Sequence, residues 1–163
     1  MAVLLSPAHI ALVDSGVSTI VASRDAQLRP SVMRAMASRI SPDGHRATVF
    51  LRPSQSQQLL ADIAAGGPIA VVFSDPPSNR TLQLKAASAC IRPACPSDQA
   101  VLRRYMVAMQ HCIGQVGYGP DYVAAMLSVP PQDVVAVEFT PDEAFDQTPG
   151  PRAGTPLRPP PAP

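Results

Sequence analysis

The sequence predicts a mainly β, antiparallel barrel of a single domain, with helical insertions. The prediction rests on two patterns. Candidate strands outnumber candidate helices, and hairpin-length turns join the early strands. A chain of 163 residues has the length of one domain, and a hydrophobic fraction of 46% is ample for a core. The segment from Leu28 to Lys85 holds the densest signal, in the order strand, turn, strand, short helix, strand, strand.

Ser6-Pro7-Ala8-His9 opens a short helix to about Val13, with Pro7 at its first position, and Asp14-Ser15-Gly16 ends it. Val17, Thr19 and Val21 alternate with Ser18, Ile20 and Ala22 in a β-branched run that reads as a strand. After the turn Arg24–Gln27, residues Pro30 to Ile40 read as one extended segment, closed by the turn Ser41-Pro42-Asp43-Gly44. Ala47, Val49 and Leu51 form the alternating face of a third strand. Ser54-Gln55-Ser56-Gln57 has capping-box form, so Ser54 is expected to cap a helix carrying Leu59, Leu60 and Ile63, which Gly66-Gly67-Pro68 stops. Ile69 to Phe73 is a buried strand. Thr81 to Ala89 is a further strand, with Leu82 and Leu84 on one face and Thr81, Gln83 and Lys85 on the other. Pro96-Ser97 opens the longest helix, to about Ile113, buried along Val101, Tyr105, Met109 (or Ala108) and Cys112. Gly114 to Pro120 breaks it, a short helix follows to Leu127, and Val134 to Phe139 is expected as the last strand. Thr140-Pro141-Asp142-Glu143 reads as a second capping box, with one turn of helix carrying Ala144 and Phe145. Residues 149–163, rich in proline, form a tail that is extended or disordered, outside a domain of residues 1–148.

Composition excludes several functions. Charged residues make up 15%, the net charge is +1, and aromatics number four Phe, three Tyr and no Trp. Neither a phosphate-tracking stripe nor a base-stacking platform is expected, so no nucleic acid. No apolar run spans a bilayer, and no basic segment precedes the N-terminal apolar residues, so no membrane and a cytoplasmic setting are expected. Cys90, Cys95 and Cys112 are an odd, sparse set, unlike a secreted disulfide framework. Their spacing with His111 is poor for zinc, and they read as small buried residues. Cys112, on an apolar helical face, would be protonated and inert. His9, His45 and His111 are scattered, with no orienting carboxylate near in sequence. The run Gly114 to Gly119 follows a helix and lacks Lys-Ser/Thr, so it terminates a helix and cradles no nucleotide. No catalytic residue emerges.

The polar strand face is the candidate site. Residues at i, i+2 and i+4 present together, so Gln83 can bond an amide-like edge and Lys85 can meet a phosphate if the face lines a groove; a solvated sheet face is the alternative. Ser54, Gln55 and Ser56, at a helix start, form either an anion site or a simple cap. Arg34, in an otherwise apolar strand, needs a partner.

Arg29-Pro30-Ser31-Val32, the Gly44 turn, the Phe50 strand, the Ser54 helix, Ile69-Ala70-Val71-Val72-Phe73 and Arg80-Thr81-Leu82-Gln83-Leu84-Lys85 together resemble the pyridoxamine 5′-phosphate oxidase-like, FMN-binding split-barrel superfamily. The resemblance spans roughly residues 17 to 89, and Val135-Ala136-Val137-Glu138-Phe139-Thr140-Pro141 is similar to that superfamily's closing strand. It implies a split β-barrel, a homodimer with FMN in a groove at the interface, and Arg34, Ser54, Gln55, Ser56, Gln83 and Lys85 as cofactor contacts. The superfamily commonly has a basic residue where the helix after the third strand begins; this chain has Ser54-Gln55-Ser56-Gln57-Gln58. The oxidases' C-terminal substrate motif is absent from the Pro-rich tail. The resemblance therefore implies a flavin-dependent oxidoreductase of unknown substrate that is not a pyridoxamine phosphate oxidase. The alternatives are a degenerate barrel without flavin that acts as a binding or interaction module, and a groove for another planar ligand such as a deazaflavin or haem.

Overall fold

The computed structural model describes residues 3–157. In chain order the elements are α1 (Pro7–Asp14), β1 (Ser18–Arg24), β2 (Pro30–Arg34), β3 (Ala37–Ile40), β4 (Ala47–Leu51), a 3-10 turn (Pro53–Gln55), α2 (Gln57–Ala64), β5 (Ile69–Ser74), β6 (Thr81–Ala86), β7 (Cys90–Pro93), α3 (Asp98–Gly114), α4 (Pro120–Leu127), a 3-10 turn (Pro131–Asp133), β8 (Val135–Phe139), β9 (Glu143–Asp146) and β10 (Thr155–Pro156). All strand pairs are antiparallel. Six strands form one sheet in the order β10-β9-β6-β5-β1-β2, and four form another in the order β3-β4-β8-β7.

The two sheets share one core. Val21, Val71, Phe73, Leu82 and Leu84 from the larger sheet meet Val49, Leu51, Val137 and Phe139 from the smaller, joined by Leu12 and Val13 of α1 and Leu59 and Ile63 of α2. The other face of the smaller sheet is also covered: Phe50 and Ala136 pack under Val101, Tyr105 and Met109 of α3 and Val123 and Leu127 of α4. Every residue of β4 is consequently buried. α1 starts as its sequence requires. Ser6 caps α1 reciprocally with His9, whose backbone N–H donates to Ser6 Oγ (3.4 Å) while its Nδ1 accepts the Ser6 N–H (3.2 Å). At the centre of the fold the buried Tyr105 hydroxyl donates to the Val17 carbonyl at 2.5 Å, and burial pushes its pKa up to about 12. Tyr105→Phe leaves that carbonyl without this donor. We expect a loss of about 1–3 kcal/mol in urea denaturation, with the slope of the transition unchanged.

Four expectations are corrected by the fold. First, the strands form two ladders and do not close into a barrel. Ala35 and Met36 divide the expected segment Pro30–Ile40: the Ala35 N–H donates to Thr19 O (3.0 Å) and the Met36 N–H to Phe50 O (2.7 Å), so the chain leaves one sheet and enters the other there. The change of sheet is visible in burial, since Ala35, Met36, Ala37 and Ser38 are buried in succession with no alternation. Second, β6 ends at Ala86, and an unforeseen strand, β7, pairs with β8. Third, Glu143–Asp146 is a strand, with no helical turn. The edge of β6 offers it a ladder, and Asp142 is drawn to that edge, its N–H donating to Lys85 O (2.9 Å) and its carboxylate accepting the Ala87 N–H (2.7 Å). β8 is therefore not the last strand. Fourth, Cys90 and Cys95 are exposed, because they lie at the start of an edge strand and on the loop before α3; Cys112 alone is buried. In the C-terminal segment, Thr155–Pro156 adds to the edge of β9 and Leu157 packs on the core; residues 158–163 lie outside the described residues. Among the described residues, no helix is long and apolar enough to cross a membrane.

Candidate functional site

Strand alternation puts Leu82 and Leu84 of β6 into the core and leaves Thr81, Gln83 and Lys85 on the opposite face, half-buried. The ladder extends that face into rows. One row runs Arg34, Ile20, Val72, Gln83, Phe145 across β2, β1, β5, β6 and β9; the next runs Val32, Ala22, Ala70, Lys85, Glu143. Residues in register on adjacent strands share a face, so Arg34, Gln83 and Lys85 belong to one surface. Three strand spacings of about 4.8 Å separate Arg34 from Gln83, about 14 Å in all, a span for an extended ligand more than for a small ion.

Each polar group on this surface has a definite setting. The Arg34 guanidinium donates to Ser18 Oγ at 2.8 Å. Gln83 accepts a bond from the Gln147 amide at 3.0 Å. Lys85 Nζ stands 4.7 Å from the centroid of the Phe145 ring, a cation–π contact. Ser74 and Thr81 share a hydroxyl bond at 2.9 Å. Neither Arg34 nor Lys85 has a carboxylate within 4.0 Å among the described residues, although Glu143 is the cross-strand neighbour of Lys85. Between the cations the surface is apolar, with Ile20, Ala22, Ala70 and Val72 half-buried, and Val32 exposed at 59%. At one end Lys85 and Arg24 line a cavity of about 440 Å³ whose other walls include Leu28, Pro30, Ala70 and Glu143.

The second predicted cluster lies apart from that cavity, which takes no wall from Ser54, Gln55 or Ser56. Ser54 does not cap α2. It sits in the 3-10 turn after β4, where its N–H (3.0 Å) and its hydroxyl (2.5 Å) both donate to Asp133, alongside Arg52 Nε (2.8 Å). These donors, the Ser54 hydroxyl first and then Arg52, hold the Asp133 carboxyl below its ordinary pKa. Gln55 is exposed. Ser56 occupies the N-cap position of α2 without a cap bond, and its hydroxyl is buried with no hydrogen-bond partner among the described residues.

No protein-family model matches the chain, and no curated protein is significantly similar to it in sequence. Solved structures are similar in fold. A candidate pyridoxamine 5′-phosphate oxidase from Lactobacillus delbrueckii superimposes with a TM-score of 0.56 at 15% identity, over 87% of this chain and 93% of that one. HupZ of Group A Streptococcus gives 0.56 at 16% identity, over 93% and 100%. An F420 reductase gives 0.56 at 15% identity, over 86% and 98%. The chain has the pyridoxamine 5′-phosphate oxidase-like fold.

Within this pyridoxamine 5′-phosphate oxidase-like fold, the open sheet face carries three of the six expected contact residues together: Arg34, Gln83 and Lys85. Sequence reasoning missed their supports. Phe145 under Lys85 was assigned to a helix, and Ser18 and Gln147 carried no signal of their own. Asp133, which takes the Ser54 hydroxyl, lies 79 residues away in sequence, so no local pattern could reveal the pair. Among the described residues no group of three or more His, Cys, Asp or Glu is placed to hold a metal ion.

Proposed function

We propose that the chain is a flavoprotein, in which two copies pair through the open face of the six-stranded sheet and hold FMN in the groove between them. Bound FMN would supply the redox chemistry of an oxidoreductase. The chain's own residues would bind and orient it: Arg34 and Lys85 as cations toward its anionic and electron-rich atoms, and Gln83 toward the amide edge of the ring. Ser56, with its buried free hydroxyl at the first turn of α2, is the remaining donor for the phosphate, together with the backbone N–H groups of that turn, including Gln57. Ser54 fits this role poorly, because its hydroxyl is committed to Asp133 and that carboxylate would repel a phosphate. Gln55, exposed beside it, is the weakest of the proposed contacts.

The observation that carries this reading is the pair of cations, Arg34 and Lys85, held with no carboxylate within 4.0 Å among the described residues on an apolar, partly exposed sheet face. The fold likeness supports it. Purified protein is expected to sediment as a dimer and to gain about 2.7 kcal/mol of stability when free FMN reaches about 100 times its Kd. Lys85→Ala is expected to weaken FMN binding about tenfold or more, since a hydrogen bond to a charged group is worth about 1.5–3 kcal/mol. A colourless protein whose melting temperature does not respond to FMN overturns the flavin reading. Binding that survives both Lys85→Ala and Arg34→Ala overturns the residue assignment alone.

A second reading has its own support: the chain as a binding module that pairs without flavin. The start of α2 has glutamines, Gln57 and Gln58, in place of a basic residue. A phosphate held by neutral donors alone is bound roughly half as strongly per bond. A dimer that ignores FMN in the same titration selects this reading.

A further inference from the structure

A cleft lies between α1, the loop joining β5 to β6, the loop joining β9 to β10 and the C-terminal part of α3, and none of the proposed flavin contacts lines it. It consists of two adjoining cavities. The first, about 350 Å³, is lined by His9, Arg80, Asp146, Thr148 and Arg152 among others. The second, about 600 Å³, is lined by Asp75, Arg80, His111, Cys112 and Gln115 among others. They share Leu12 and Arg80, so the Arg80 side chain stands where they meet.

We propose that this cleft binds a small phosphate monoester, with its phosphate in the narrower cavity between Arg80 and Arg152. Two guanidinium groups there face one carboxylate, Asp146, and neither makes an ion pair within 4.0 Å among the described residues. Asp146 accepts the Thr148 N–H at 2.9 Å and offsets one of the two guanidinium charges, so one positive charge remains in excess among these groups. Paired guanidinium forks are the side chains best matched to phosphate. His9 supplies a neutral donor. Its Nδ1 accepts the Ser6 N–H, so the remaining proton of the neutral ring sits on Nε2. Burial first, and then Arg80, lowers the His9 pKa, which keeps the ring neutral.

Arg152 is held on a fixed turn: the Gly154 N–H donates to Asp146 O (2.8 Å), and the Leu157 N–H to Ala144 O (2.8 Å). The organic part of the ligand extends into the wider cavity. There Asp75 is occupied by the Ser78 N–H (3.2 Å), the Ser78 hydroxyl and the Cys112 thiol (3.4 Å), and the exposed His111 and Gln115 side chains offer polar contacts. Cys112 takes no covalent part: burial, with Asp75 beside it, pushes its pKa up to about 11 and keeps the thiol protonated.

The test uses the full chain and inorganic phosphate as probe, against chloride at matched ionic strength. A saturable rise in melting temperature with phosphate is expected in the wild type, with affinity reduced about tenfold or more in Arg80→Ala and again in Arg152→Ala. Both side chains are exposed, so folding should persist. If Arg80→Ala fails to fold, Arg80→Lys, which keeps the charge and loses the fork, takes its place. No saturable rise in the wild type overturns the proposal, and so does a wild-type response in either variant. A response abolished by Lys85→Ala and retained by Arg80→Ala also overturns it, because it would place the phosphate on the sheet face.

Discussion

Asp98→Ala is expected to destabilise the protein by about 3–5 kcal/mol, the cost of removing one partner from a buried ion pair. The side chain of Asp98 is fully buried at the start of α3. It accepts two bonds from Arg92, at 2.6 and 3.1 Å, and one from the Cys95 N–H at 2.9 Å, with Arg39 at 3.7 Å. Arg92 reaches on to Glu138 at 2.9 Å, and Glu138 to Arg46 at 3.7 Å. The network thus ties the first turn of α3 to β3, β7 and β8. Deleting the carboxylate takes the acceptor from the Arg92 fork, which keeps Glu138 and the Pro93 carbonyl, removes the partner of Arg39, and leaves the Cys95 N–H without its acceptor. Against a domain stability of about 5–15 kcal/mol, a loss of this size would unfold a measurable fraction at 37 °C. An unfolding free energy within about 0.5 kcal/mol of wild type, the size expected for surface changes, would show that the network contributes nothing.

The same carboxylate predicts an acid dependence. The Arg92 guanidinium, and then the Cys95 N–H, hold the Asp98 carboxyl well below the usual carboxylate range, against the opposing effect of burial. An unfolded aspartate titrates at about 3.9. Because the folded pKa is the lower one, the contribution of Asp98 is complete above the unfolded value and is lost as the pH falls through it toward the folded value. The stability gap between wild type and Asp98→Asn should therefore be flat from about pH 5 upward and narrow only on the acid limb below about pH 4.

What could be read from the chain, and what could not, follows from how local each signal is. The split of β6 into Leu82 and Leu84 against Thr81, Gln83 and Lys85 is a period-two pattern within six residues, and the structure keeps it. The stripe Val101, Tyr105, Met109, Cys112 is a helical period, and it too is kept. Asp98 lies one turn before Val101 on that stripe and is buried with it, a position that no local pattern indicates. Only its partners on β3 and β7 explain its position. The segment 140–146 shows the opposite failure. Its local chemistry favours a cap and a helical turn, but the unpaired edge of β6 offers a full ladder, and the longer-range pairing wins. The crossing at Ala35–Met36 joins two sheets by small buried residues that carry no turn signal. On the candidate face, alternation within β6 puts Gln83 with Lys85, whereas the place of Arg34 on the same face follows from the register of β2, β1 and β5, which no local pattern gives. The helix cap expected of Ser54 is not formed because its hydroxyl is taken by Asp133, from a distant turn that packs beside it only in the folded chain.

Gly16→Ala is expected to cost more than about 3 kcal/mol, and a second glycine allows the reason to be isolated. Gly16, in the turn between α1 and β1, has φ +88°, and a Cβ there would lie 2.4 Å from the Ala108 carbonyl carbon and 2.6 Å from the Met109 nitrogen. The obstacle is the backbone of α3, which no rotamer change relieves. α3 is fixed at that point by Met109, which is fully buried, and by the Tyr105 bond to Val17, the residue after Gly16. Moving the turn away from α3 therefore stretches the Tyr105 bond as well. Gly66 has the same φ of +88° with nothing within 4 Å of its would-be Cβ, so Gly66→Ala should cost only the left-handed backbone penalty of about 1–2 kcal/mol. The difference between the two variants in urea denaturation measures the contact of the α1–β1 turn with α3. Equal losses would mean that the turn does not rest on that helix, and the packing of α1 onto the fold would have to be redrawn.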